Sequence, residues 1–173
     1  DPILCTKGGG LSSLDSASSF GIDNIYLALD NYNVDAAGLP LLMGVLKNTS
    51  IKSYVFNWPF RQKDPAEVIE TIGWEQWRDV IIAKDHKGQR VNFTSTPEFL
   101  FQQFRYKVEL PVTDLRRSLE DATDLGACLK NEADRRDYTS KVCALLEVPR
   151  GMLLGNICSR EDTEEGFIQR CAR

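Results

Sequence analysis

The sequence lacks the side chains on which most hydrolytic sites depend. Its 173 residues contain a single histidine, His86. A catalytic triad or a Cys–His pair needs an imidazole as its base, and geometry rather than residue type defines such a site. His86 lies in a polar Asp-His-Lys-Gly segment, and no Gly-x-Ser-x-Gly motif occurs in the chain. We therefore expect a solvated turn histidine and no histidine-dependent catalysis.

Signals for metals and cofactors are also missing. The last four cysteines are spaced by fifteen, fifteen and thirteen residues, so no Cys-x-x-Cys pair is present. The glycines at 8–10 are not followed by the Lys-Ser or Lys-Thr pair of a phosphate-binding loop. The sequence predicts no metal site and no cofactor.

Basic blocks and long apolar runs are absent as well. The net charge is −4, and no stretch resembles the basic footprint that neutralises phosphates. No apolar run approaches the ~20 residues of a membrane-spanning helix. These absences predict no nucleic-acid partner and no membrane insertion.

The composition that remains is that of an ordinary globular protein. Apolar residues make up 42% of the chain and charged residues 27%. This length suits a single domain with its own core. We predict one domain over 1–173, with a flexible lead-in at 1–20 and a helical C-terminal part at 112–173.

The clearest local signals lie between Asp64 and Thr94. Asp64 and Pro65 predict the start of a helix, and Gly73 predicts its end. The branched apolar run at 80–82, a polar turn at 85–88 and the segment 89–94 predict a β-hairpin at about 78–94.

Other segments give weaker signals of both kinds. We expect helices at 22–29, 35–47, from Thr96, from Thr113 or Asp114, and at 137–147, with strands at 51–58 and 106–110. The mixed order predicts the α+β class: a small helix/strand domain with a helical, cysteine-bearing C-terminal third.

Cysteine placement favours an oxidising compartment. The five cysteines are Cys5, Cys128, Cys143, Cys158 and Cys171. One interpretation pairs Cys128 with Cys143 and Cys158 with Cys171, leaving Cys5 over. A second buries Cys143 as a small hydrophobic residue and ties Cys5 to the C-terminal region. Five reduced thiols in an intracellular protein are the third interpretation.

Two glycosylation sequons also favour an extracellular protein. Asn48 and Asn92 each begin an Asn-x-Ser/Thr triplet, and the chain starts at Asp1 rather than methionine. Together with the cysteines, these features predict a secreted, extracellular glycoprotein with disulfide bonds.

Aromatic residues beside arginines are the candidates for binding. Exposed tryptophans and arginines dominate protein interfaces. We expect a protein partner to contact a set near the middle of the chain: Trp58, Trp74, Trp77, Arg61 and Arg78. The alternative is that the aromatic strand face packs beneath the helix that begins at Pro65.

Carboxylate chemistry is the competing function. Glu75 and Asp79 lie near the tryptophans, and glycosidases combine two acids with aromatic platforms for sugar rings. The sequence nevertheless favours a secreted, non-catalytic interaction protein. Its composition is similar to that of effector and surface proteins that fungi and parasites release into a host, which implies a role in virulence through a host partner. The alternatives are a carbohydrate hydrolase and an intracellular protein of unknown role.

Overall fold

A computed structural model describes residues 21–31, 33, 38–47, 50–108 and 110–161. The chain divides into two compact units. The sheet unit comprises Asp1–Val45 and Ile51–Ser95, and the helical unit comprises Leu46–Ser50 and Thr96–Arg173. The single domain inferred from the sequence stays a prediction beside this division, and the lead-in expected at 1–20 lies outside the described residues.

Seven helices and three strands are described. In chain order they are β1 (Asn24–Leu27), α1 (Gly38–Lys47), β2 (Lys52–Phe56), α2 (Pro65–Ile72), α3 (Trp74–Ile82), β3 (Phe93–Ser95), α4 (Thr96–Lys107), α5 (Leu115–Gly126), α6 (Glu132–Leu146) and α7 (Arg150–Glu161). The predicted α+β class is confirmed.

The sheet unit is built on three strands in the order β1-β2-β3. β1 and β2 are parallel, with Leu27 opposite Val55. A parallel pair needs a crossover connection, and α1 lies in that connection. β3 is antiparallel to β2, with Phe93 opposite Phe56.

Both faces of β2 carry buried side chains, as its alternating sequence requires. On one face Phe56 is fully buried with Val68 of α2 and Trp77 of α3. On the other, Val55 lies with Leu27 and with Leu42 of α1 around a small depression. A strand covered on both faces by helices is the usual setting for a parallel pair.

The helix predicted at Pro65 is confirmed at both ends. Asp64 caps it by accepting a hydrogen bond from the Glu67 amide at 2.9 Å, and Pro65 occupies the first turn. Gly73 follows the last residue with φ of 85°, a conformation that L side chains rarely adopt.

The strand predicted at 80–82 is wrong, because α3 continues through Ile82. Trp77, Val80 and Ile81 recur at helical spacing, and all three pack in the cluster around Phe56. Tertiary burial therefore overrides the β preference of the branched residues. The predicted turn at 85–88 does form, closed by an isolated bridge between Lys84 and Arg90.

Two further segments differ from expectation. The segment predicted as a helix at 22–29 contains β1, which pairs with β2 through the backbone. The strand predicted from Tyr106 is the last turn of α4. For β1, pairing with the distant strand β2 decides the structure, and no local pattern contains that information.

The helical unit has a core of its own. α4 packs on α6, and α5 packs on α7. Tyr138 of α6 is fully buried and donates a hydrogen bond from its hydroxyl to the Ala122 carbonyl at 2.9 Å. Burial raises the pKa of this phenol well above its ordinary value, so it stays a donor. No helix in the described part of the chain is long and apolar enough to cross a membrane.

Candidate functional site

The segments that leave β1 and β2 meet at one edge of the sheet unit. The strands are parallel, so residues 28–33 and 57–64 both follow carboxyl ends. In open α/β sheets, ligands bind in the crevice outside these ends. We call these two segments the edge loops.

Asn31 ties the two edge loops together. Its side chain is fully buried, and its amide nitrogen donates to the carbonyls of Phe60 at 3.1 Å and Gln62 at 2.9 Å. Its backbone amide donates to the Lys63 carbonyl at 2.7 Å. The side-chain oxygen accepts from the Asn33 amide at 3.0 Å. A buried amide with its hydrogen bonds satisfied holds both loops in one arrangement.

The start of α2 completes the second edge loop. Glu67 accepts a hydrogen bond from the Lys63 amide at 2.7 Å while Asp64 accepts one from the Glu67 amide. These two bonds form a reciprocal cap, which satisfies two of the amides left open at a helix start. The positive end of α2 is therefore already occupied by the chain's own carboxylates.

The second edge loop carries two cationic side chains. Arg61 and Lys63 are both exposed, on either side of the Gln62 carbonyl that Asn31 holds. Asp30 lies half-buried on the first loop. In the described ranges, no three His, Cys, Asp or Glu side chains come together as a metal site would require. The edge loops thus offer a fixed backbone with two exposed cations beside the acids Asp30 and Asp64, and phosphate or carboxylate groups are the ligands complementary to the cations.

The structure separates the five residues predicted to bind a partner. Trp77 is 6% exposed and belongs to the core, in edge contact with Phe56 at 5.3 Å between ring centroids. Trp58 is half-buried and stacks on Trp77 at 6.2 Å. Arg61 is exposed on the edge loop. The alternative interpretation, that the aromatic strand face packs beneath the helix that begins at Pro65, is what the geometry shows for Phe56, which packs against Val68.

The remaining two predicted residues lie on α3. Trp74 is 59% exposed at the first position of that helix. Arg78 is exposed and pairs with Asp79 at 3.2 Å. Glu75 and Asp79, the acids considered for carbohydrate hydrolysis, are exposed on the same helix.

The predicted glycosylation site at Asn92 is engaged within the protein. Its side-chain nitrogen, the atom to which an N-linked glycan attaches, donates to the Val80 carbonyl at 2.8 Å. A glycan would break this hydrogen bond. Asn48 lies outside the described residues.

The predicted disulfides are wrong for the described cysteines. Cys143 is a buried free thiol that donates weakly to the Pro149 carbonyl, and Cys158 is an exposed free thiol. Bridges from Cys143 to Cys128 and from Cys158 to Cys171 are therefore not formed. Burial raises the pKa of the Cys143 thiol, an effect that the charge of Arg150 only partly opposes. Cys5 and Cys171 lie outside the described residues.

A groove lies on the surface of the helical unit. It has a volume of about 520 Å³ and runs between α5 and α7, with Leu115, Leu119 and Thr123 on one side and Asn156 and Ser159 on the other. Its two arginines are engaged with acids, Arg116 with Glu120 and Arg160 with Asp124. The groove therefore offers little unopposed charge.

Sequence reasoning missed Asn31. The segment 30–33 reads as a polar loop, and its composition does not distinguish a buried asparagine from a solvated one. The available signal is its position, since polar residues that directly follow a buried parallel strand lie where ligands bind. The strand itself was not predicted, so that signal could not be used.

Sequence comparison finds nothing similar: no protein-family model and no curated protein matches the chain. Structure comparison does find similar folds. A DNA primase domain from Pseudomonas aeruginosa matches with a TM-score of 0.61 and 12% identity, over 84% of this chain and 44% of that one.

Two further primase structures share the fold. The zinc-binding and RNA polymerase domains of the Aquifex aeolicus primase match with a TM-score of 0.55 and 18% identity, over 84% of this chain and 32% of that one. The DnaG catalytic core matches with a TM-score of 0.56 and 15% identity, over 82% and 44%. The chain thus spans less than half the length of these primase structures.

These likenesses contradict the function inferred from the sequence. The similar structures are primases, not secreted effectors, virulence factors or glycoproteins. The extracellular localisation, the host protein partner, the carbohydrate hydrolase and the exclusion of nucleic acid are all wrong on this finding. Those inferences rested on sequons, cysteines and a summed charge, and none of these quantities depends on the fold.

Proposed function

We propose that this chain is the nucleic-acid-binding part of a primase-like protein and that its edge loops contact the phosphate backbone. The observation that carries the proposal is the fold, which matches a DNA primase domain over 84% of the chain. Such a role belongs inside the cell. Because the chain spans at most 44% of the similar structures, the proposal concerns binding and not the whole primase reaction.

The chemistry of the edge loops supports phosphate as the ligand. Arg61 and Lys63 supply exposed positive charge on a loop that Asn31 holds in place. Asp64 and Glu67 already satisfy the amides at the start of α2, so the cations rather than the helix end would meet the phosphate. A loop that hydrogen bonds already hold in one conformation loses less conformational entropy on binding than a mobile loop does.

The net charge of −4 does not argue against this role. That number is a sum over the whole chain, whereas a phosphate within a Debye length of about 8 Å senses only nearby charges. Many of the acids lie on helix surfaces beside a base of the same helix, as Glu120 and Glu132 do. Within the edge loops the charges of Arg61 and Lys63 balance those of Asp30 and Asp64, so these loops do not share the negative sum of the whole chain.

A titration of fluorescent single-stranded oligonucleotide tests the proposal. We expect the wild-type chain to bind and the double variant Arg61→Ala/Lys63→Ala to bind about tenfold more weakly, the loss of roughly one charged hydrogen bond. The slope of log affinity against log salt should fall by about 1.4, or 0.7 for each phosphate contact on a single strand. The readout is fluorescence anisotropy over a range of salt concentrations.

The matched control is Arg116→Ala/Arg136→Ala, which removes two exposed arginines whose charges are opposed by acids one turn away. We expect this pair to leave affinity and salt slope nearly unchanged. If both double variants lost the same affinity for the oligonucleotide, binding would depend on positive charge anywhere on the surface. That result would contradict a site at the edge loops. No binding by the wild-type chain at low salt would contradict the proposed function itself.

A further inference from the structure

The last turn of α4 presents an aromatic ring to solvent. Tyr106 is 86% exposed, the highest value among the exposed large hydrophobic side chains of the described residues. Its neighbours Arg105 and Lys107 are exposed as well. Of its other aromatics, α4 buries Phe99 and Phe104 and half-buries Phe101, so the exposure of Tyr106 is a departure from the packing of its own helix.

The two flanking cations also differ from other bases of the helical unit. Arg116, Arg136 and Lys141 each pair with an acid one turn away on the same helix. Arg105 and Lys107 have no ion-pair partner within the described ranges. Their charge is therefore available to a ligand.

Helix stability accounts for the positions of the two cations but not for that of the exposed tyrosine ring. Positive side chains in the last turn of a helix interact favourably with the helix dipole, so Arg105 and Lys107 suit their positions for that reason alone. A tyrosine that remains 86% exposed gains little from burial. A partner with a flat apolar surface would cover this ring, and an anionic one would also complement the two flanking charges.

We propose that Tyr106 is a stacking platform for a base of single-stranded nucleic acid, with Arg105 and Lys107 contacting the phosphates on either side. The chemistry fits because every base has a π face, and a charged groove with aromatic rings is how single strands are bound without sequence preference. A duplex hides its base faces in the stack and would offer the ring nothing. This inference rests on the proposed function and adds a second contact in the helical unit.

Four variants test the platform. Tyr106→Ala removes the ring, Tyr106→Phe keeps it, and Arg105→Gln/Lys107→Gln removes the charges. Trp74→Ala is the matched control, because Trp74 is another exposed aromatic whose neighbours are Gly73 and Glu75 rather than bases. Each protein is titrated with fluorescent ten-nucleotide oligothymidylate, with oligouridylate and with an abasic oligonucleotide of the same length. Circular dichroism confirms the fold of each variant.

For the base-bearing strands, we expect Tyr106→Ala to weaken binding at least about fivefold and Tyr106→Phe to bind like the wild type. For the abasic strand, Tyr106→Ala should change nothing, because no base is present to stack. The Arg105→Gln/Lys107→Gln variant should weaken binding to all three and lower the salt slope by about 1.4. The DNA and RNA arms show which strand the site favours, and a ring-dependent loss in either supports the platform.

Failure of this inference is distinguishable from failure of the proposed function. If Tyr106→Ala binds base-bearing strands as well as the wild type does, the stacking platform is contradicted. The phosphate contact proposed at the edge loops is not contradicted by that result. If Trp74→Ala loses as much affinity as Tyr106→Ala, the cation-flanked ring is not special and the inference is overturned. If the wild type binds no strand at low salt, the proposed function falls and the inference with it.

Discussion

At the scale of single residues, the site depends on one buried amide. Asn31 makes three hydrogen bonds to the loop between Phe60 and Lys63 and one to Asn33. Hydrogen bonds of this kind contribute little net free energy when made, but a buried partner left unsatisfied is expensive. The geometry of Arg61 and Lys63 therefore depends on a side chain that need not touch the ligand.

We expect Asn31→Ala to lower the free energy of unfolding of the sheet unit by about 2 to 3 kcal/mol, because the carbonyls of Phe60 and Gln62 lose the buried donor that joins the two edge loops. Urea denaturation followed by tryptophan fluorescence measures this, since all three tryptophans of the chain lie in the sheet unit. The control is Gln76→Ala, at an exposed position on α3 of the same unit, which should change the value by less than about 0.5 kcal/mol.

Asn31→Asp keeps the acceptor for Asn33 but cannot donate to Phe60 and Gln62, and it places a carboxylate beside these two carbonyls at a buried position. We expect a loss at least as large as that of Asn31→Ala, because the donated bonds are lost and a charge is buried as well. Wild-type stability in both variants would contradict the account of the edge loops.

Thiol reactivity tests the correction of the disulfides. Cys158 is exposed, whereas Cys143 is buried and its pKa is raised by that burial. At neutral pH we expect an alkylating reagent to modify Cys158 quickly and Cys143 only on unfolding, because the thiolate is the reacting form. Peptide mass mapping measures both, and a bridge between the two cysteines found without added oxidant would contradict the structure.

Some residue-level features were predictable because their causes are local. Asp64, Pro65 and Gly73 mark the two ends of α2 in the sequence as they do in the structure. Asn31 was not predictable, since its hydrogen-bond partners lie 29 and 31 residues away. A local pattern carries no information about such a contact.

At the scale of elements, α3 shows how packing overrides preference. Val80, Ile81 and Ile82 favour a strand by residue type, yet they extend a helix whose Trp77 lies in the core. The same spacing that aligns Trp77 with Val80 and Ile81 on a helix face was present in the sequence. The branched run predicts a strand and the spacing predicts a helix, and packing of Trp77, Val80 and Ile81 against Phe56 stabilises the helix.

In the helical unit three helices meet at a glycine. A Cβ at Gly126 of α5 would lie 2.5 Å from Ile157 of α7 and 3.0 Å from Tyr138 of α6. We expect Gly126→Ala to destabilise the helical unit by about 1 to 3 kcal/mol, because the added methyl overpacks a full core. Thermal unfolding followed by circular dichroism at the helix signal measures the change.

The control is Gly155→Ala on α7, where an added Cβ would meet nothing within 4 Å. Alanine is the better helix former by about 1 kcal/mol, so this variant should be neutral or more stable. Equal stability of the two variants would contradict the close approach of α5 to α6 and α7.

At the scale of the whole molecule, the sequence predicted the fold class but not the function. The α+β class followed from mixed helix and strand signals, which many local patterns support independently. Function was inferred from summed charge, cysteine number and two sequons. Those sums conceal the arrangement that matters here: Arg61 and Lys63 on one loop, and Arg105 and Lys107 beside Tyr106.

The most direct test of the central claim is to map where a single strand touches the chain. An oligonucleotide that carries photoreactive thiothymidine is cross-linked to the wild-type protein, and the modified peptides are identified by mass spectrometry. We expect cross-links within 57–63, which spans Arg61 and Lys63, and on the peptide that contains Tyr106. Cross-links confined to α5 and α7, or none at an oligonucleotide concentration that saturates binding, would contradict it.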